Sequence, residues 1–139
     1  MGTQQLLLIV LGVIIVGIAV VVGINIFGSN AEQANKDAIT QDCLRIASAA
    51  QGYYRKPTML GGGNNSFDGI EIQDCGMTAD EGSTTDGSNV NGTYTILGNG
   101  DTFTVTGESA NDPDKTVEVT VDMTQTTDED RVTVVYDGW

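Results

Sequence analysis

The sequence predicts an α+β fold in which a long N-terminal helix packs on an antiparallel sheet of about four strands. Three observations carry this reading. Residues 6–27 are uncharged and apolar all round; apolar residues then recur at helical spacing from Ile39 to Tyr54; and from residue 93 onward apolar and polar residues alternate.

The opening stretch, MGTQQLLLIVLGVIIVGIAVVVGINIF, holds nothing more polar than glycine between Leu6 and Asn25. As a helix, residues 6–27 extend about 33 Å at about 1.5 Å per residue, enough to cross the hydrocarbon core of a bilayer. A cleavable secretory signal has a basic start, a shorter apolar region and a small-residue cleavage site. This stretch starts without Lys or Arg, so it is expected to be retained in the mature protein. An ordinary single-pass anchor is the plainest alternative, but no basic cluster flanks the segment to set its orientation.

The helical pattern continues past the apolar stretch. Ile39, Cys43, Ile46, Ala50 and Tyr53 follow one another at spacings of four, three, four and three, and Ala47 and Tyr54 widen the same stripe. Gly28 weakens the helix locally without demanding a break. Gly52 and Pro57 end the pattern. One helix of about fifty residues is therefore expected, apolar in its first half and amphipathic in its second.

Residues 57–92 read as a connection rich in glycine and acidic residues, with a short strand candidate at 69–72. Residues 93–97 and 102–106 alternate around GNGD, a strong hairpin signal. Residues 116–123 place Val117, Val119, Val121 and Met123 on one face, and residues 131–137 do so with Val132, Val134 and Tyr136. The apolar face of this meander must be covered, and the stripe on residues 39–54 is the available cover. The expected organisation is an apolar helix over residues 1–28 and a globular domain over 29–139. In that domain the helix continues to about 56, a connecting loop spans 57–92, and the sheet spans 93–139.

Composition narrows the chemistry. The 139 residues carry a net charge of −13, and no charged residue precedes Glu32. So acidic a surface repels phosphate backbones, which argues against direct nucleic-acid binding. There are no histidines, which removes the commonest general base and metal ligand. No catalytic constellation is visible, so no enzymatic activity is expected. GNG and GGG lack the lysine and strand–loop–helix setting of a phosphate-binding loop, and no cofactor is assigned. The acidic clusters at 80–81, 112–114 and 128–130 lack the ligand ladder of a calcium loop and read as solvated turns, so no metal site is expected. Cys43 and Cys75 are the only cysteines. In an exported domain such a pair predicts a disulfide, worth roughly 3–4 kcal/mol on the chain-entropy estimate for a loop of about thirty residues. Asn64 and Asn91 each open an N-x-S/T sequon and are candidate glycosylation sites.

MGTQQLLLIVLGVIIVGIAVVVGI, leading into ANKDAITQDCLRIASAAQGYY and then a sheet, resembles a type IV pilin in its mature form. The resemblance is one of architecture and covers the whole chain. It implies a leader removed by a prepilin peptidase, a methylated N-terminus, an inner-membrane pool of precursor and a pilus assembly machinery. It also implies assembly with copies of itself into an extracellular filament at the cell surface. On this resemblance Met1 is the mature first residue, and the sequence begins at or very near the mature end. Most family members carry Glu at the fifth position, opposite the positive N-terminus of a neighbour. Here that position is Gln5, which can accept a hydrogen bond from an amine but cannot neutralise its charge. No proline breaks the apolar helix; Gly12, Gly17 and Gly23 are the candidates for loosening it or for letting helices approach closely. Arg55 and Lys56, at the helix end, are candidates for pairing with acidic loops of an adjacent subunit.

The leading expectation is thus a structural subunit of a type IV pilus-like filament. The alternatives are a pseudopilin of a type II-like secretion machine and a monomeric, membrane-anchored surface binding module.

Overall fold

The computed structural model describes residues 2–139. The chain divides into two compact units, Met1–Ala34 and Asn35–Trp139. A single helix, α1 (Gly2–Arg55), contributes to both.

In the first unit α1 buries none of its residues. In the second it buries Ile39, Cys43, Ile46, Ala47 and Ala50, the stripe predicted from spacing, with Tyr53 and Tyr54 half-buried at its end. The last turn is closed by the chain that follows it. Gly63 N donates to Tyr53 O (2.9 Å), Asn65 N to Tyr54 O (2.7 Å) and Asn64 N to Lys56 O (2.9 Å), supplying partners that carbonyls at a helix end otherwise lack. Pro57 prevents further propagation.

The sheet has five strands, β1 (Asp86–Ser88), β2 (Gly92–Asn99), β3 (Thr102–Ser109), β4 (Thr116–Asp122) and β5 (Val132–Asp137), in that spatial order. Every neighbouring pair is antiparallel. The fold is therefore α+β, a long N-terminal helix with an antiparallel sheet. Alternation gives each strand an inner face, and the register aligns those faces in rows. Tyr94, Gly107, Val117 and Tyr136 form one row; Ile96, Val105, Val119 and Val134 the next; Gly98, Phe103, Val121 and Val132 the third. The helix stripe and the buried residues of these rows make one core, with Val132 and Val134 half-buried at its margin and Tyr136 exposed, and Phe67, Ile70, Ile72, Cys75 and Met77 of the connection join it. Phe67 stacks between Tyr54 and Phe103, with ring centroids 4.8 and 5.4 Å away.

The β2–β3 hairpin turns on two residues, with Gly100 left-handed at φ 57°. Its tip is tied to the connection: Phe67 N donates to Gly100 O, and Gly100 N donates to the Asp68 carboxylate.

Two sequence expectations need correction here. Residues 69–72 form no strand; the backbone passes through a left-handed Gly69 into a 3₁₀ turn at Ile72–Cys75. The turn is closed by reciprocal bonds between Glu71 and Asp74 and by a left-handed Gly76. The additional strand, β1, lies inside the region expected to be loop. It is three residues long, and Gly87 is its only buried residue, so it carries no alternation to detect.

Cys43 and Cys75 are both free and buried, which corrects the expected disulfide. Cys43 is committed to the sheet: its Sγ lies 3.8 Å from the Val117 carbonyl and directly over Gly107. Cys75 closes the 3₁₀ turn. Burial, reinforced by the charges of Asp42 and Asp74 respectively, pushes each thiol up to about 12. At pH 8 both thiols are expected to react with iodoacetamide on the order of a thousandfold more slowly than in the unfolded chain, from thiolate fraction alone. Mass-resolved labelling with and without denaturant checks this.

Candidate membrane and assembly helix, and a polar hub in the second unit

The first unit is a helix whose apolar side chains lie in the open. Seventeen large hydrophobic residues from Leu6 to Phe27 are 48–77% exposed. The most apolar 18-residue window has a mean hydropathy of 3.3 and none of it is buried. The helix is long and apolar enough to cross a membrane. Isolated exposed hydrophobic residues are ordinary, whereas a contiguous sleeve of them marks a surface that meets lipid or protein.

Gly12, Gly17 and Gly23 lie within this sleeve. A Cβ at any of them would touch nothing within 4 Å, so no contact within the chain requires glycine there. Gly12 and Gly23 share a helix face, and Gly17 sits about 140° around at 100° per residue. Gln5 is exposed in the first turns. Met1 lies outside the described residues.

Arg55 and Lys56 are both exposed. Neither forms an ion pair among the described residues. Lys56 borders a shallow polar depression with Tyr53, Gln73 and Asp74. The acidic clusters serve their own turns: Asp80 accepts from Ser88 Oγ (2.8 Å), Asp112 from Asp114 N (3.1 Å) and Asp130 from Thr127 Oγ1 (2.7 Å). Among the described residues no three His, Cys, Asp or Glu side chains gather to hold a metal ion.

A polar hub in the second unit was not legible in the sequence. Asp42, beside the buried stripe of α1, accepts three hydrogen bonds on Oδ2. They come from Tyr94 Oη (2.6 Å), Asn89 Nδ2 (2.9 Å) and Asn91 Nδ2 (3.0 Å). Two turns earlier, Asn35 Nδ2 donates to Asn91 O (3.1 Å), and the Asn35 side-chain carbonyl oxygen accepts from Ser109 Oγ (2.5 Å). Together these contacts fasten residues 89–91, β2 and β3 to the helix. Burial alone would raise the Asp42 carboxyl, but the bonds from Tyr94, Asn91 and Asn89, with the Arg45 charge, hold it below its ordinary value. The same burial and the Asp42 charge push the Tyr94 phenol upward, so it stays neutral and donating. The chemistry here is structural.

Asp42→Ala is expected to cost about 2 kcal/mol, because it strands the hydroxyl of the buried Tyr94, while the amides of the exposed Asn89 and half-buried Asn91 can turn to water. Arg45→Ala should cost under about 1 kcal/mol, since that pair is 3.7 Å apart and its arginine 61% exposed. A depressed folded-state carboxyl binds its proton less readily than the unfolded chain does. Its stabilisation is therefore complete above the ordinary value of 3.8 and is lost as pH falls through the lower folded value. Urea midpoints at pH 6 and pH 3 should converge more closely in Asp42→Asn than in the parent.

Compared with known proteins, the chain matches no family model, no curated protein and no solved structure at a significant level.

Proposed function

We propose that this chain is a structural subunit, held in a membrane by its apolar helix and polymerising through that helix into an extracellular filament of the type IV pilus kind. The observation that carries the reading is the uncharged apolar sleeve over residues 6–27, none of it buried, on the same helix whose later residues anchor a folded sheet domain. A sleeve that is apolar all round satisfies two environments in turn, lipid before assembly and copies of itself afterwards. The glycines support the second, since each costs about 1 kcal/mol of helix stability relative to alanine without serving a contact inside the chain. Against a neighbouring helix they permit close approach.

In this reading Gln5 accepts a hydrogen bond from the amino terminus of a neighbour, and the exposed Arg55 and Lys56 meet acidic turns of adjacent subunits. Reversing both charges (Arg55→Glu with Lys56→Glu) is expected to reduce filament yield while leaving the urea midpoint of the subunit within about 0.5 kcal/mol of the parent. Normal filament yield would remove these two residues from the assembly interface.

Electron microscopy of the high-speed pellet from sheared cells, with the subunit identified by mass spectrometry, tests the reading. Uniform filaments containing this chain are expected. Retention in the envelope as short polymers would favour a secretion pseudopilin. Extraction by detergent as single chains would favour a monomeric anchored module.

A further inference from the structure

The two sequons stand in different structural settings, and we propose that Asn64, and not Asn91, is an acceptor for an N-linked glycan. The inference rests on the reading that the domain following the apolar helix is exported.

Asn64 lies in the loop that closes the end of α1. Its backbone is fixed in the left-handed region, φ 51°, as is that of Asn65, φ 62°. Their amide protons point inward to the carbonyls of Lys56 and Tyr54. With the backbone satisfied, the side chain of Asn64 is exposed and its amide takes part in no hydrogen bond among the described residues. The third sequon residue, Ser66, accepts from Asp68 N at 3.1 Å and keeps its own hydroxyl proton to donate. No residue of this tripeptide belongs to a strand. A transferase can therefore surround it without breaking a ladder.

The second sequon is the opposite case. Asn91 is half-buried, its Nδ2 donates to Asp42 and its carbonyl accepts from Asn35 and Ala110. Gly92 and Thr93 belong to β2, where Gly92 pairs with Ser109 and Thr93 with both Ser88 and Glu108. Gly92 is packed so closely on β3 that a Cβ there would overlap the Glu108 carbonyl. A sugar on Asn91 Nδ2 would take the space in which that amide meets the helix. Modification before folding would cost the hub, and modification afterwards would require it to open.

The reaction joins Asn64 Nδ2 to the anomeric carbon of a polyprenyl-phosphate-linked oligosaccharide. The bond from that carbon to the phosphate oxygen breaks, the lipid phosphate leaves with the electron pair, and the amide gives up one proton to a base of the transferase. The product places a hydrated glycan where the helix ends, on the exported side.

The test uses full-length protein purified from its native membranes. Proteolysis that separates Asn64 from Asn91 is followed by glycopeptide mass spectrometry, alongside Asn64→Gln, Ser66→Ala and Thr93→Val. A glycan mass on the Asn64 peptide is expected, lost in the first two variants and retained in the third. An unmodified Asn64, or a glycan on Asn91, overturns the inference. External protease on intact cells separates the two possible failures. An accessible but unmodified domain rejects the acceptor assignment alone, whereas a protected domain rejects export as well.

Discussion

Val16→Lys is expected to deplete the chain from carbonate-washed membranes and to abolish its polymerisation. Val16 sits near the middle of the apolar sleeve and is 63% exposed. A lysine at the centre of a membrane-spanning helix costs about 3 kcal/mol on insertion-based scales, roughly a hundredfold in partitioning. In a polymer core the cost persists, because no carboxylate exists among residues 2–31 to pair with it. Val16→Leu, which keeps the apolar surface, should partition and assemble like the parent. Immunoblots of washed membranes and of sheared pellets read both effects. A Val16→Lys chain that polymerises normally would mean that the helix is not the polymer core.

Gly107→Val should strongly destabilise the sheet domain by wedging the helix stripe from the sheet. Gly107 stands between Tyr94 and Val117 in an inner row of the sheet, and side chains of α1 pack directly on it. A Cβ would lie 2.6 Å from Ile39 Cγ2, 2.9 Å from Cys43 Sγ and 3.1 Å from Tyr94 Cε1. The first two contacts belong to the buried stripe and the third to the tyrosine that holds Asp42. Relief requires the helix to lift from the sheet, at an expected cost of about 3 kcal/mol. With a urea dependence of about 1–3 kcal/mol per molar, the midpoint should fall by about 2 M. Trp139, the only tryptophan, packs against the core with its Nε1 donating to Thr116 O, so its fluorescence in the detergent-solubilised chain reports the transition. Thr106→Val, one residue along β3 on the other face, should shift the midpoint little.

The parts of the fold that were legible share a physical basis: they are written as periodicity. The stripe from Ile39 to Tyr53 repeats every three or four residues, and β2 to β4 alternate every second residue, so burial could be read from spacing; at the edge strand β5 the same alternation leaves Val132 and Val134 half-buried and Tyr136 exposed. The apolar sleeve was legible for the simpler reason that it lacks any charge. β1 escaped because its buried position is a glycine, whose packing depends on Thr78, Ile72 and Met77 approaching its Cα and not on any side chain of its own. The candidate strand at 69–72 failed because Gly69 is left-handed and the Glu71–Asp74 pair closes a turn, a local competition that composition does not resolve. The disulfide was inferred from cysteine number and compartment, neither of which measures distance. Asp42 was hidden for a related reason. Its partners Asn89, Asn91 and Tyr94 lie 47, 49 and 52 residues away, so only the folded register brings them together. Of the proposed assembly surface, the apolar sleeve and its glycines are features of the sequence itself; the difference between the two sequons depends on the sheet and was not legible.

Photocrosslinking in intact cells shows whether the apolar helix meets copies of itself, as proposed. A benzoylphenylalanine placed at Ile15, 58% exposed in the middle of the sleeve, would be irradiated in cells making the full-length chain. A ladder of products rising by the mass of one subunit, 14.6 kDa, is expected, with peptides 2–34 joined to peptides 2–34. Crosslinks to lipid alone, with no subunit ladder from surface material that contains the chain, would contradict the proposal.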